Sequence, residues 1–158
     1  MKKILTLAML VKDGRILLGL KKRGFGEGLW NGFGGKVEAK ESIQQAAKRE
    51  VEEEVGVIPI QMDEVGLLNF TFESEQLELE VHVFRVGSWE GEPVETEEMR
   101  PEWFSYVDVP YDKMWPDDVY WLPLLLNRKK FQGDFHFDRP SDLNYKSKIL
   151  RQTVEVIL

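Results

Sequence analysis

The sequence predicts an α/β fold in which a mixed β-sheet lies between helices on its two faces. Three observations predict it. Two aliphatic runs near the N-terminus are joined by a Lys12-Asp13-Gly14 turn, the pattern of a hairpin. The stretch 42–55 repeats apolar residues at helical spacing. The remaining apolar segments read as several strands and one more helix, so the two element types are mixed rather than alternating in strict β-α-β units.

Residues 4–11 and 15–20 are the hairpin strands, with Asp13-Gly14 supplying the positive φ of a tight turn. Met1-Lys2-Lys3 before the first run looks briefly like a signal peptide. The run is only eight residues long, has no small-residue cleavage site after it and ends in Lys-Asp-Gly, so it reads as a buried strand. Residues 24–35 hold six glycines among Phe25, Trp30, Asn31 and Phe33. That is too much backbone freedom for a helix or a long strand, and the segment reads as a working loop. In 42–55, Ile43, Ala46, Ala47 and Val51 recur three and four residues apart, and Gly56 stands where a C-terminal cap belongs. Strands are expected at 65–72, 77–86 and 103–106, and a second helix at 119–127 after the Pro116-Asp117-Asp118 turn. A short strand is expected near Phe135. With no repeat, linker or composition break, one domain over 1–158 is expected.

Composition narrows the function classes. There is no cysteine, which excludes disulfides, thiolate metal sites, iron–sulfur clusters and cysteine nucleophiles, and suits a reducing compartment. No stretch reaches the 18 or so apolar residues of a membrane span. A soluble monomer in the cytoplasm is the expectation, with the mitochondrial matrix and nucleus left open. Twenty-eight acids against 21 bases give a net charge of -7, the wrong sign for coating polymeric nucleic acid. The charge is also sorted: residues 1–40 carry nine bases and three acids, whereas 73–102 carry ten acids and two bases. Lys21, Lys22, Arg23 and Lys36 flank the glycine loop, placed to meet an anionic ligand.

On the first helix, Glu50, Glu53 and Glu54 are related as i, i+3 and i+4, so three carboxylates share one face. Like charges at this spacing repel, and near a helix C-terminus the macrodipole disfavours them further. A divalent cation would relieve both costs, and an all-oxygen set suits Mg or Mn better than zinc or copper. Taken alone, the cluster would also fit a solvated acidic face. Its flanks decide between the two readings.

Those flanks read Gly35, five residues, Glu41, seven residues, Arg49-Glu50, then Val51, Glu52, Glu53-Glu54, Val55, Gly56 and Val57. Over 35–57 this fills every fixed position of the Nudix box, and on it the chain is identified as a member of the Nudix hydrolase family. The resemblance implies an α/β/α sandwich and cleavage of a nucleoside diphosphate linked to another group. It also implies that Glu50, Glu53 and Glu54 bind Mg2+, for which Mn2+ can substitute, with Gly34 offering a backbone carbonyl. Arg49 would pair with Glu41 to hold the loop against the helix. Lys40 stands where the family often has glycine, which touches only the local path of the loop.

Similarity continues outside the box. Lys21-Lys22-Arg23-Gly24-Phe25-Gly26, the segment 30–37, Val81-His82-Val83-Phe84, Glu98-Met99-Arg100-Pro101 and Met114-Trp115-Pro116-Asp117-Asp118 resemble the MutT-type branch of the family. That branch hydrolyses 8-oxo-dGTP and 2-hydroxy-dATP to monophosphates and pyrophosphate, which implies a small-molecule nucleotide partner and no polymeric nucleic acid. The resemblance places Thr6, Lys21, Asn31, Asp117 and Asp118 in a substrate pocket. Phe25, Phe70, Phe72, Met99, Trp115 and Trp121 would line it. Phe33, Gly34, Gly35 and Lys36 belong to its loop, and Glu98 would add a carboxylate at the metal. Glu53, Glu54 and Glu98 are all candidates for the general base. A flat purine needs apolar faces and a polar edge, and Asn31 can donate and accept at once. Ionised carboxylates only accept, so Asp117-Asp118 can serve a purine carbonyl only if one acid keeps its proton. Either of the two aspartates also suits the N-cap of the following helix. His82, between valines in a strand, reads as a hydrogen-bonded structural residue. A Nudix hydrolase for a dinucleoside polyphosphate or nucleotide sugar stays open as an alternative, as does a non-catalytic nucleotide-binding module.

Overall fold

The computed structural model describes residues 1–158. The N-terminal hairpin forms as expected from β1 (Lys2–Lys12) and β2 (Arg15–Lys21), turning at Asp13 and Gly14, both with positive φ. β3 (Trp30–Asn31) lies within the glycine-rich segment, and α1 (Ile43–Val55) follows it. Then come β4 (Ile58–Phe72), β5 (Glu78–Glu90) and β6 (Met99–Ser105). The chain closes with α2 (Asp118–Leu126), β7 (Lys130–Phe137) and β8 (Ile149–Ile157). The strands make one mixed sheet in the order β3-β2-β1-β5-β4-β7-β8, with β6 paired to β2.

The period-two alternation of the strands builds a core on each face. Ala8, Leu10, Leu17, Phe84 and Val86 point to one side and pack on Ala47, Val51 and Val55 of α1. Met9, Val11, Ile16 and Leu18 point to the other, in one cluster with Trp121, Leu122 and Leu125 of α2. Helix α1 is closed by a capping box, in which Ser42 Oγ accepts from the Gln45 amide and Gln45 Oε1 accepts from the Ser42 amide. Gly56 ends it with φ 74°.

The glycine segment is more ordered than a loop. β1 pairs with β2 only over Leu10–Lys12, and the two then diverge. The gap is filled by residues 30–37, which pair with β2 through Gly19↔Asn31 and run antiparallel to β1. Ala8 and Phe33 exchange backbone bonds of 2.6 and 2.9 Å, and the Thr6 amide donates to the Gly35 carbonyl at 2.9 Å. This insertion carries the loop to the C-terminal half of α1.

Several strands are longer than the sequence suggested. The segment expected at 65–72 begins at Ile58, that at 77–86 runs to Glu90, and that at 103–106 starts at Met99. In each case the added residues interleave charged or polar side chains with apolar ones and only a few are buried, Met62 and Met99 among them, so apolar periodicity gives little signal. β8 was not foreseen for the same reason, since seven of its nine residues are exposed at the sheet edge.

Candidate active site

Helix α1, the glycine segment and the loop before β6 enclose a cleft with no hydrophobic side chain in its lining. Glu50, Glu53 and Glu54 enter it from the helix, Glu98 from the loop, and Lys21 and Arg23 from the end of β2. The glycines are set by contact distance. A Cβ on Gly35 would sit 2.6 Å from the Glu50 carboxyl carbon, and one on Gly34 would sit 1.8 Å from the Thr6 carbonyl oxygen.

Each acid in the cleft has a distinct environment. Glu54 is 3% exposed. Its Oε1 accepts from the Gly34 amide at 2.7 Å, and its Oε2 lies 3.8 Å from Lys21 Nζ. Burial pushes its carboxyl up to about 8, with the Glu50 and Glu98 charges adding to the rise while Lys21 and the Gly34 amide oppose it. Glu98 is more open and sits at 2.7 Å from Arg23 Nη2, whose hydrogen bond holds it below the ordinary carboxylate range. Arg49 clasps Glu41 through two bonds of 2.7 and 3.0 Å and reaches the Lys36 carbonyl at 3.1 Å. Its remaining nitrogen contacts Glu50 at 2.8 Å and Glu53 at 3.4 Å. Arg49 therefore ties the loop to the helix, as the sequence led one to expect, and orients two further acids.

In this geometry the acids turn toward Arg49, Arg23 and Lys21 rather than converging on one point, so no ready-made ligand cluster stands in the cleft. The donor set nevertheless fits a hard divalent cation. It is all oxygen, one acid is buried against its own preference for water, and the Gly34 carbonyl accepts no hydrogen bond.

Beside the cleft lies a cavity of about 350 Å³, within the size range of small-ligand sites. The two share Lys21, Gly34, Gly35 and Glu54 as a common wall. Leu5, Leu7, Phe70, Phe72, Leu79 and Val81 form an apolar floor from one face of the sheet. Phe25 and Trp115 stack at its rim with ring centroids 5.3 Å apart, and Met99, Asn31, Thr6 and Lys36 complete the lining. Asp117 and Asp118 lie at its inner end, 3% and 2% exposed. Burial raises both carboxyls, and Asp118 most, because the adjacent Asp117 adds charge and accepts a hydrogen bond from its protonated form. Asp117 occupies the N-cap position of α2, but its side chain does not cap; its Oδ2 accepts from Trp121 Nε1 at 2.7 Å. Two buried polar atoms lack any partner in the chain, Thr6 Oγ1 and Asp118 Oδ2, and both belong to residues lining this cavity.

Two residues expected in the pocket are elsewhere. Phe33 is fully buried in the α1-side core, because its strand-like segment turns its ring away from the cavity that Gly32 and Gly34 border. Trp121 is fully buried behind the acid pair and stacks on Phe131 at 5.6 Å, so it holds Asp117 without facing the cavity. His82 bridges Glu64 and Glu80 at 2.9 and 2.7 Å on the sheet, away from both cavities. Leu5, Leu7, Leu79 and Val81 were missed as lining residues. Their two-residue alternation with Phe70 and Phe72 was the available signal, but in sequence it is indistinguishable from ordinary core.

Residues 2–125 match the NUDIX domain. Over 135 residues the chain is 50% identical to the oxidized purine nucleoside triphosphate hydrolase of Danio rerio, covering 85% of this chain and 86% of that one. It is 46% identical over 144 residues to the protein of the same name from Mus musculus, covering 90% and 92%. The fold superposes on a mutator MutT protein from Bacillus halodurans with a TM-score of 0.82 at 25% identity, covering 97% of each chain. With its box folded into the loop and helix that frame the carboxylate cleft, the chain belongs to the NUDIX family.

Proposed function

We propose that this protein hydrolyses oxidised purine nucleoside triphosphates, 8-oxo-dGTP and 2-hydroxy-dATP among them, to the nucleoside monophosphate and pyrophosphate. NUDIX proteins generally act with a divalent metal, and here we assign Mg2+, with Mn2+ as a substitute. The observation that carries the reading is the common wall between an aromatic cavity and a carboxylate cleft. A nucleotide bound across it lays its base in the first and its phosphates in the second. The names of the Danio rerio and Mus musculus relatives support the same substrate class.

In the cavity, the apolar floor and Trp115 take the faces of the purine, while Asn31 and the aspartate pair take its edge. Burial and the neighbouring Asp117 charge favour the protonated form of Asp118, which donates while Asp117 accepts, and the unpartnered Asp118 Oδ2 gains a partner from the ligand. Exchange of that proton between the two acids would suit either an oxidised guanine or an oxidised adenine edge. Lys21 on the common wall and Arg23 in the cleft face the phosphates, with Lys36 on the cavity side. Glu50, Glu53, Glu54, Glu98 and the Gly34 carbonyl would hold the cation. When bound, the cation offsets phosphate charge and polarises the attacking water. Water adds to phosphorus, the bridging P–O bond between the α and β positions breaks, and a carboxylate among Glu53, Glu54 and Glu98 takes the released proton. Arg49 holds the loop and helix at the spacing this requires.

Pyrophosphate release from 8-oxo-dGTP, 2-hydroxy-dATP and dGTP with Mg2+ tests the reading. Turnover of the oxidised purines with a much higher kcat/KM than dGTP, lost in Glu53→Gln, is expected. Equal kcat/KM for dGTP and 8-oxo-dGTP, or full activity in Glu53→Gln, would defeat it.

A further inference from the structure

Strand β8 closes one side of the sheet and pairs only with β7, leaving its outer edge of backbone N–H and C=O groups without a neighbouring strand. Exposed edges are normally blunted by charged side chains, lysine above all, by proline, a bulge or short length. β8 is nine residues long, has neither lysine nor proline, and carries two charges of opposite sign, Arg151 and Glu155. Its one irregularity lies at its start, next to the Phe137↔Ile149 pair, so residues 151–157 run in unbroken register. Leu150, Val156 and Ile157 are all more than 40% exposed.

The side chains along this edge are complementary to themselves. Opposite residues in an antiparallel pair point to the same face, so a two-fold axis through the sheet must pass at a residue. With the axis at Thr153, Arg151 of each strand faces Glu155 of the other, Leu150 faces Val156, and Thr153 faces its own copy. Moving the axis to Gln152 sets Arg151 opposite Thr153 and loses both charge pairs; moving it to Val154 sets Arg151 opposite Ile157. Arg151 and Glu155 point to the same face as His136 and Gln132 of β7, and neither forms an ion pair within the chain. Opposite charges directly across a ladder stabilise it, and like charges destabilise it.

We propose that β8 is a self-association edge, on which a second copy of this chain pairs antiparallel about Thr153 and extends the sheet across the dimer. The sequence led to the expectation of a monomer because it shows no dedicated assembly element, and the strand at 149–157 was not foreseen. A single strand pair covers less area than a standard interface, so the dimer is weak and forms in the range of about 10–100 μM. Nothing in the pairing involves the nucleotide cavity or the carboxylate cleft, so it stands whether or not the proposed activity does.

Sedimentation velocity from about 5 to 500 μM, a range chosen to bracket that affinity, tests the proposal on the full chain. The wild type is expected to move from the 18.4 kDa monomer toward twice that mass as concentration rises. Arg151→Glu and Glu155→Arg each set like charges opposite one another and should weaken association at least tenfold. The double variant R151E/E155R restores opposite pairs and should restore association. Circular dichroism of each variant confirms folding, and turnover should stay at the wild-type level throughout. A monomer over the whole range, a dimer indifferent to the single variants, or a double variant that stays monomeric overturns the proposal. So does a monomeric chain whose edge captures an extended peptide instead.

Discussion

Trp121→Phe separates recognition from packing at the acid pair. The indole Nε1 donates to Asp117 Oδ2 at 2.7 Å, with both side chains buried. Burial lifts the Asp117 carboxyl to about 6, and the indole bond is the first influence opposing that rise. A hydrogen bond to a charged acceptor contributes about 1.5–3 kcal/mol, and one pKa unit is worth about 1.4 kcal/mol, so phenylalanine should move the Asp117 titration up by about one to two units. The singly protonated pair both donates and accepts, whereas below the Asp117 pKa both acids are protonated and the charged acceptor is lost. The acid limb of kcat/KM for 8-oxo-dGTP should therefore lie about one to two units higher in the variant. Near pH 6.5 this is a loss of about tenfold, largely recovered by pH 8.5. Pyrophosphate release between pH 5.5 and 9 at saturating Mg2+ measures it. Phenylalanine also fills less of the core against Phe131, which should lower Tm by a few degrees without moving the limb. A uniform loss at every pH, with the limb unmoved, would show that Trp121 only packs and that Asp117 takes no part in recognition.

Asp118→Asn leaves a permanent donor beside Asp117, and should shift the ratio of kcat/KM for 8-oxo-dGTP over 2-hydroxy-dATP by about tenfold or more, since a misplaced donor at a buried edge costs 1–3 kcal/mol; an unchanged ratio refutes proton exchange as the source of breadth. Gly34→Ala forces the loop off the Thr6 carbonyl, 1.8 Å from the new methyl, and should lower kcat/KM at least about 100-fold in a folded protein; activity within a few-fold of wild type would show that the loop gives way freely. Arg49→Lys keeps the charge but cannot hold Glu41, Glu50 and the Lys36 carbonyl together, so Mg2+ activation should weaken about 10- to 100-fold, which a metal titration of turnover reads. Asp117 and Glu54 have carboxyls raised to about 6 and about 8, so the folded state holds protons that the unfolded chain releases. Stability from these groups is complete below their unfolded pKa values near 4 and is lost as pH rises through about 6 to 8. Calorimetry without metal should show Tm declining over that window, and a smaller decline in the Asp117→Asn variant.

Much of the site was legible because its chemistry is local in the chain. Glu50, Glu53 and Glu54 share a helix face by spacing alone, and Gly35 and Arg49 sit at fixed distances along the same segment. The acid pair and Trp115 also lie within four residues of one another. Phe33 and Trp121 were misplaced for one reason. An aromatic residue beside a site and one inside it carry the same sequence signal, and only the direction of the side chain distinguishes them. For Phe33 that direction comes from the pairing of its segment with β1, and for Trp121 from the turn of α2 that aims the indole at Asp117.

The sequence by itself determined the mixed α/β class, the capped carboxylate helix and the glycine segment before it, since each depends on residues near one another along the chain. Tertiary structure alone decided which faces of the sheet become cavity floor and which become core. It inserted residues 30–37 between two diverging strands, and it joined an aromatic cavity to a charged cleft through Lys21, Gly34, Gly35 and Glu54. It also exposed the long edge of β8, whose mixed polar and apolar pattern is not visible as a strand until β7 is beside it. Those outcomes rest on pairings between residues far apart in the chain, and single-sequence periodicity reports the face a residue presents but not what it meets there.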